Sequence, residues 1–241
     1  MEIDLESCKD TTVLVNLCGA GINEQRWTKK RKVVLRESRI DVTKKLFELT
    51  SQLPLEYYIG ASGISAYGFD DGTVMHKEED AFGSDFLSQL VKDWEQAADL
   101  FATRCKVAKI RIAVTLDKDE GAIQAMSKLV KIGMGAILGN GKQQIPWIAI
   151  EDLVELFLFF IEHQLVGTYN SNTGNCSNRD LMDSIATYYQ RKIWLPAVPP
   201  FILRIVLGEM SDLVLKGSKA CNDKLKKCGF YPNSPQFRAF F

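Results

Sequence analysis

Hydrophobic positions along the chain recur with two different periods. Short runs rich in valine, isoleucine and leucine predict strands that are buried on both faces of a sheet. Longer segments with apolar residues three and four positions apart predict amphipathic helices. The predicted strands span residues 12–17, 55–61, 107–114, 167–171 and 193–195. The predicted helices span residues 38–52, 84–103, 121–132, 151–163 and 178–190, and a final helical segment follows Pro199 and Pro200.

Strands and helices therefore alternate, which is typical of an α/β fold with a parallel sheet. A chain of 241 residues, 46% of them hydrophobic, is long enough to bury the core of one such domain and a small appendage. The apolar segment 153–161 is interrupted by Glu155 and is too short to cross a bilayer. We interpret it as a buried helix.

The composition bears on the class of partner. Basic and acidic residues balance at 30 each, so the total charge predicts neither a nucleic-acid nor a membrane partner. The six cysteines form no C-x-x-C pair and are expected to be reduced. His76 and His163 lie far apart in sequence and predict no metal site. We expect a cytoplasmic protein with a small-molecule substrate.

One segment imitates a dinucleotide-binding fingerprint. A strand-like run at residues 13–17 leads into G-x-G-x-x-E at residues 19–24, and Asp41 follows about twenty residues after the glycines. The third position of the fingerprint needs glycine for close helix–strand packing, but Glu24 stands there, and its carboxylate would repel a pyrophosphate. The pattern therefore disfavours a first dinucleotide-binding strand at this point.

Several segments nevertheless resemble, in the right order, the extended short-chain dehydrogenase/reductases of the NAD-dependent epimerase/dehydratase type. The resemblance is to atypical members labelled epimerase family proteins, which end in a short domain of unknown function. The segments are V-N-L-C-G with Q-R-W (residues 15–19 and 25–27), L-R-E-S-R with Thr43 (35–39), S-G with A-Y-G (62–63 and 66–68), W-I-A-I-E-D-L-V (147–154), V-G-T-Y-N (166–170), and G-E-M-S, L-V-L-K-G and G-F (208–211, 213–217 and 229–230).

The resemblance implies a Rossmann-like, doubly wound parallel sheet, N-terminally incomplete, with a small C-terminal α/β subdomain on the substrate side. We expect the first unit to span residues 1–165 and the second residues 166–241, of which about 195–241 correspond to the domain of unknown function. It also implies an NADP(H) or NAD(H) cofactor and a small carbonyl or sugar-like substrate.

The resemblance also implies a missing segment. Family members begin with a strand, G-G-T-G-x-I-G and a helix, which bind the cofactor pyrophosphate. No such segment occurs in the sequence, and we expect about sixty N-terminal residues to be absent. Because each lost contact to a phosphate contributes about 1.5–3 kcal/mol, we expect weak dinucleotide binding. The uncovered edge of strand 12–17 also predicts association, and hence a possible homo-oligomer.

The resemblance assigns catalytic candidates. Short-chain dehydrogenases use a serine or threonine, a tyrosine acid/base and a lysine four residues later that lowers the tyrosine pKa. Ser62 matches the serine, but residues 85–89 read D-F-L-S-Q where the tyrosine and lysine are expected. Tyr67 is the candidate acid/base, with packing of its ring against the loop as the alternative. The Tyr188 to Lys192 pair is interpreted as a helix terminus.

The remaining site candidates follow from the matching positions. The expected cofactor-binding residues are Asn16, Leu17, Gly19, Arg39, Ser62 and Arg111, and the expected substrate-binding residues are Gly133, Gly141 and Trp147. Ala113 and Ala149 replace a glycine and a histidine of the family pattern. The sequence therefore leaves two hypotheses open: an oxidoreductase of the epimerase/dehydratase type, or a non-catalytic or truncated member of the fold that binds a nucleotide or a partner.

Overall fold

The computed structural model describes residues 4, 6–70, 72–117 and 121–233. Its strands are β1 (Val13–Asn16), β2 (Tyr57–Gly63), β3 (Met75–His76), β4 (Lys106–Ile112), β5 (Val114–Leu116), β6 (Gln144–Ala149), β7 (Gly167–Asn170), β8 (Gly174–Ser177) and β9 (Lys219–Ala220). Its α-helices are α1 (Lys29–Arg36), α2 (Val42–Leu49), α3 (Phe86–Ala98), α4 (Gly121–Lys131), α5 (Ile150–His163), α6 (Asn178–Tyr188), α7 (Pro200–Leu207), α8 (Asp212–Leu215) and α9 (Asp223–Lys227).

The main sheet is parallel and has the strand order β1-β2-β4-β7. Both of its faces are buried. Tyr57 and Ile59 of β2 pack in a cluster with Leu156 and Phe160 of α5. The side chain of Tyr58 points to the opposite face, as alternation along a strand requires, and packs with α2 and the end of α3. Helices on both faces of a parallel sheet confirm the predicted α/β, Rossmann-like class.

Two smaller sheets complete the fold. In the first, of order β5-β6-β8, β6 runs parallel to β5 and antiparallel to β8. Helices α4 and α6 share a hydrophobic cluster with this sheet. In the second, β3 pairs with β9 and so ties the loop after β2 to the C-terminal segment. Since β7 joins the main sheet and β8 the neighbouring one, residues 166–177 contribute to both, and the division at residue 165 stays a prediction.

A π-helical turn, Glu37–Asp41, joins α1 and α2 into one helical stretch. The prediction started this helix at residue 38 and was wrong by nine residues. The sequence K-K-R-K-V-V-L-R of α1 buries only Leu35, so its apolar period is weak, and the helix start is marked instead by Thr28, whose side chain accepts a hydrogen bond from the Arg31 N–H. The π-turn directs Arg39 and Ile40 into the protein.

Other differences concern short elements. Strands β6 and β8 were not predicted: β6 contains Pro146, and β8 is the short, polar run G-N-C-S. The strand predicted at residues 193–195 is wrong; Trp194 is exposed there, and the isolated bridge lies further on, between Leu138 and Val198. In the part of the chain described, no helix combines the length and apolarity needed to cross a membrane.

We expect Phe101→Ala to lower the free energy of unfolding by about 3–5 kcal/mol, because it empties a buried site. Phe101 has no exposed surface and stacks on Tyr58 with ring centroids 3.9 Å apart. Urea unfolding followed by circular dichroism measures the change. The control, Phe201→Ala, removes the same ring from an exposed position and should change stability by less than about 0.5 kcal/mol. Equal effects of the two substitutions would contradict the assigned core.

Candidate functional site

The carboxyl ends of three neighbouring strands place polar side chains in one row. Ser62 of β2 lies opposite Arg111 of β4, and Arg111 lies opposite Asn170 of β7. All three residues are buried. In open parallel sheets, ligands bind outside the carboxyl ends of the strands. This row is therefore the candidate site, and two of its members, Ser62 and Arg111, were predicted from the sequence.

A buried ion pair lies behind the row. Arg111 donates from Nε to Oε1 of Glu95 (2.8 Å) and from Nη2 to Oε2 (3.0 Å), and Ser62 donates from Oγ to the same Oε1 (2.6 Å). The two charged side chains are only 3% and 6% exposed. Burial by itself would lower the pKa of Arg111, but the hydrogen bonds and charge of Glu95 oppose it, and the net pKa is raised. The guanidinium is therefore a permanent cation.

Tyr67 joins this network from the helical turn that follows β2. Its hydroxyl donates to Oδ1 of Asn170 (2.6 Å) and accepts from Nη1 of Arg111 (3.0 Å). Burial raises the pKa of Tyr67 to about 12 in spite of the opposing effect of Arg111. An acid/base at neutral pH would need a pKa lowered from 10. In this arrangement Tyr67 is a neutral hydrogen-bond donor.

The loop after Tyr67 closes one side of the site. The backbone oxygen of Glu78 accepts from Nη1 of Arg111 (3.2 Å), and its carboxylate accepts from the Asn170 N–H (3.0 Å). His76 stacks on Tyr67 with ring centroids 4.9 Å apart, and its ring nitrogens contact Asp70 and Asp80. The loop is thus fixed to the ends of β4 and β7.

The turn after β1 is the open part of this edge. Asn16 is buried; its amide donates to Thr43 and to Tyr58, and its Oδ1 accepts from the Cys18 N–H (3.1 Å). These bonds fix the backbone that follows. Leu17, Cys18 and Gly19 are exposed at the end of the strand.

Arg39 supports this turn from beneath. Its guanidinium donates to the carbonyl oxygens of Ala20 (3.0 Å) and Leu35 (3.3 Å) and lies over the ring of Trp94. A Cβ atom at Gly19 would lie 3.0 Å from the guanidinium carbon, so a larger residue would displace one or the other. Burial lowers the pKa of Arg39, with a further contribution from the charge of Arg31.

The predicted substrate-binding residues lie elsewhere in the fold. Trp147 is a buried member of β6 and packs in the hydrophobic cluster with α4 and α6. Gly133 and Gly141 both have φ in the left-handed region, at 77° and 73°, which explains the glycines of this loop by its backbone conformation. Hydrogen bonds join the loop to Val198, which precedes α7.

Sequence reasoning missed Glu95 and Asn170. Glu95 is four residues from Val91, which is four from Leu87, and all three are buried on α3. A carboxylate that continues an apolar row at helical spacing is the signal that could have revealed it. The cation beside Tyr67 is Arg111 of β4, whose Nη1 contacts the hydroxyl.

The chain matches two family profiles and is similar in sequence to several known proteins. The profile described as "NAD dependent epimerase/dehydratase family" matches residues 4–171, and a domain of unknown function (DUF1731) matches residues 198–239. The chain is 34% identical over 236 residues to an epimerase family protein, ML0860, of Mycobacterium leprae, covering 95% of this chain and 75% of the relative. It is 32% identical to a chloroplastic SDR39U1 homolog of Arabidopsis thaliana, covering 95% of this chain and 67% of the relative.

A solved structure shows the same fold. The crystal structure of human epimerase family protein SDR39U1 with NADPH superimposes with a TM-score of 0.88, at 23% sequence identity. The match covers 97% of this chain and 83% of the human one.

We expect the ion pair to show strong coupling in a double-mutant cycle. Arg111→Met leaves the Glu95 charge buried without its partner and should lower the free energy of unfolding by about 3–5 kcal/mol. Replacing both residues, Glu95→Leu with Arg111→Met, should restore much of that loss. Urea unfolding of the two single variants and the double variant measures the coupling, and additive effects would contradict the contact.

We expect the phenol of Tyr67 to titrate well above pH 10. The fold favours the neutral phenol, so its contribution to stability is complete below about pH 10 and is lost as the pH rises from 10 towards 12. The difference in phenolate absorbance between the native protein and Tyr67→Phe isolates this group. A transition between pH 7 and 9 would show instead that Tyr67 is activated.

Proposed function

This chain belongs to the NAD-dependent epimerase/dehydratase family, and from that premise we propose that it is an NAD(P)-linked oxidoreductase acting on a small carbonyl or sugar-like substrate. The observation that carries the proposal is the position of Ser62, Arg111 and Tyr67 in one hydrogen-bonded group at the carboxyl edge of a parallel sheet. We propose a cytoplasmic location.

The turn after β1 fits the ribose end of a dinucleotide. Gly19 presents no side chain, Leu17 and Cys18 are exposed beside it, and the backbone is held in place by Asn16 and Arg39. The human relative of the same fold was crystallised with NADPH, so NADP(H) is the first cofactor to test. The cofactor, when bound, exchanges a hydride with the substrate.

Tyr67 and Ser62 then donate hydrogen bonds to the substrate oxygen. Arg111 keeps the Tyr67 hydroxyl in place through Nη1, and Tyr67 gives a hydrogen bond to the substrate by exchanging Asn170 for it. Ser62 reaches the same oxygen only by leaving Glu95. Both hydroxyls orient and polarise a carbonyl group as neutral donors. Tyr67, which keeps its proton at neutral pH, gives that proton to the carbonyl oxygen as the hydride reaches the carbon.

Three observations favour a second function, in which the protein binds the nucleotide without turnover. Both candidate hydroxyls already donate to protein acceptors, and the Tyr67 pKa is raised. In addition, Asp85 stands near the expected tyrosine–lysine pair and caps α3 through the Leu87 and Ser88 N–H groups. Both functions use the turn after β1 to bind the nucleotide. Only the first includes conversion of a substrate.

We expect the 241-residue chain to bind NADPH weakly in isothermal titration, and Gly19→Val to bind it at least tenfold more weakly still, because the new side chain meets Arg39. Asn23→Val, at an exposed position beyond the turn, is the matched control and should bind like the native chain. Equal affinities of all three proteins would place the cofactor elsewhere, and no binding would contradict the cofactor proposal.

We expect Tyr67→Phe to abolish turnover while leaving NADPH binding intact. NADPH oxidation with a panel of small aldehydes, ketones and nucleotide sugars measures activity. Tyr188→Phe, in the other tyrosine–lysine pair, is the control and should retain it. Binding without turnover by the native chain across the panel favours the non-catalytic function.

A further inference from the structure

Two segments of this chain contain no acidic residue, although the chain has 30 of them. Residues 121–150 carry Lys128, Lys131 and Lys142, and residues 184–208 carry Arg191, Lys192 and Arg204. The balanced total charge averages out this local excess. The charged side chains of these two segments are therefore all positive.

The fold places the two segments side by side. Val198 donates to the carbonyl of Ile137 (2.8 Å) and accepts from the Gly139 N–H (3.0 Å). A Cβ atom at Gly133 would lie 4.0 Å from the indole nitrogen of Trp194. The ammonium of Lys131 lies 4.5 Å from the ring centroid of Tyr189. The end of α4 and the segment leading to α7 therefore form one surface.

Exposed apolar side chains occur on this surface and on α7, which follows Val198 in the chain after one residue. Ile132 is 68% exposed, Trp194 72%, Phe201 62% and Ile205 71%. None of the eight residues of α7 is buried, although its sequence, P-F-I-L-R-I-V-L, is apolar around most of its circumference. Such a helix is ordinarily covered. We call these four residues, with the exposed Lys128, Lys131, Arg191 and Lys192, the cationic apolar face.

The exposed fractions and the charges of these side chains indicate which kind of partner the cationic apolar face binds. Side chains that are more than half exposed protrude, whereas those that line a small-molecule cleft are largely enclosed. A second copy docked face to face would bring like charges together. Nucleic acid uses cations and aromatic rings, but gains little from aliphatic side chains such as Ile132 and Ile205. Basic residues around exposed tryptophan, phenylalanine and isoleucine suit an anionic lipid surface.

We propose that the cationic apolar face docks on the surface of an anionic lipid bilayer. Trp194, Phe201 and Ile205 enter the boundary between headgroups and acyl chains, and Lys131, Arg191 and Lys192 contact the anionic headgroups. The helix α7 lies in the plane of the interface and does not span the bilayer. This inference is independent of the cofactor site and of turnover.

The chain contains a natural reporter for this contact. Of its four tryptophans, Trp27, Trp94 and Trp147 are buried and Trp194 is exposed. Adding vesicles of phosphatidylcholine mixed with phosphatidylglycerol should shift the tryptophan emission to the blue, and vesicles of phosphatidylcholine alone should not. Trp194→Phe should lose the shift and still sediment with the anionic vesicles. High salt should release the protein.

Matched variants decide the proposal. In co-sedimentation with the anionic vesicles, Arg191→Gln and Lys192→Gln should each weaken binding about fivefold, while Lys44→Gln and Lys45→Gln, exposed on α2, should not. Phe201→Ser should weaken binding, and Leu158→Ser, at an exposed position on α5, should leave it unchanged. Circular dichroism confirms that each variant is folded.

The proposal is overturned if the native chain fails to bind the anionic vesicles, or if the face variants bind like their controls. It is also overturned if a single-stranded oligonucleotide, and not lipid, produces the Trp194 shift, or if sedimentation equilibrium shows a dimer that Phe201→Ser dissociates.

Discussion

The carboxyl edge of the main sheet is organised by one buried ion pair, in which Arg111 of β4 binds Glu95 of α3 through two N–H groups. Charges at this depth are tolerated only when their remaining hydrogen-bonding groups are also satisfied. Ser62, Tyr67 and the backbone oxygen of Glu78 meet that requirement. The pair joins β4 and α3 to each other, and it also contacts β2 through Ser62, the turn after β2 through Tyr67 and the following loop through Glu78.

The same pair determines what chemistry is available. Ser62 and Tyr67 are positioned with precision, but their protons point to protein acceptors. Burial keeps Tyr67 protonated, so the site offers neutral donors and one permanent cation. Both hydroxyls can bind and polarise a carbonyl oxygen as donors, and Tyr67 is not ready to remove a proton at neutral pH. The neighbouring turn at Gly19 remains open for a ribose.

Sequence patterns predicted the strands of the main sheet, most clearly β2, in which six of the seven residues are buried. They also predicted Ser62, Tyr67 and Arg111, which the fold brings together. Glu95 and Asn170 could not be found in this way. Glu95 is 33 residues from its partner Ser62 in the sequence, and Asn170 is 103 residues from its partner Tyr67. Both contacts therefore depend on strand register and helix rotation. Trp147 is buried in a hydrophobic cluster on β6, a strand that the sequence patterns did not reveal, and its contact with substrate stays a prediction.

If the turn after β1 holds the cofactor, as we propose, bound NADPH covers the thiol of Cys18. Cys18 is exposed between Leu17 and Gly19, whereas Cys8 is only partly exposed and lies before the strand. Mass spectrometry can follow the alkylation of both thiols while NADPH is added. We expect Cys18 to become increasingly protected as NADPH is added and Cys8 to react at an unchanged rate. Alkylation of Cys18 at an unchanged rate, under conditions where titration shows NADPH bound, would contradict it.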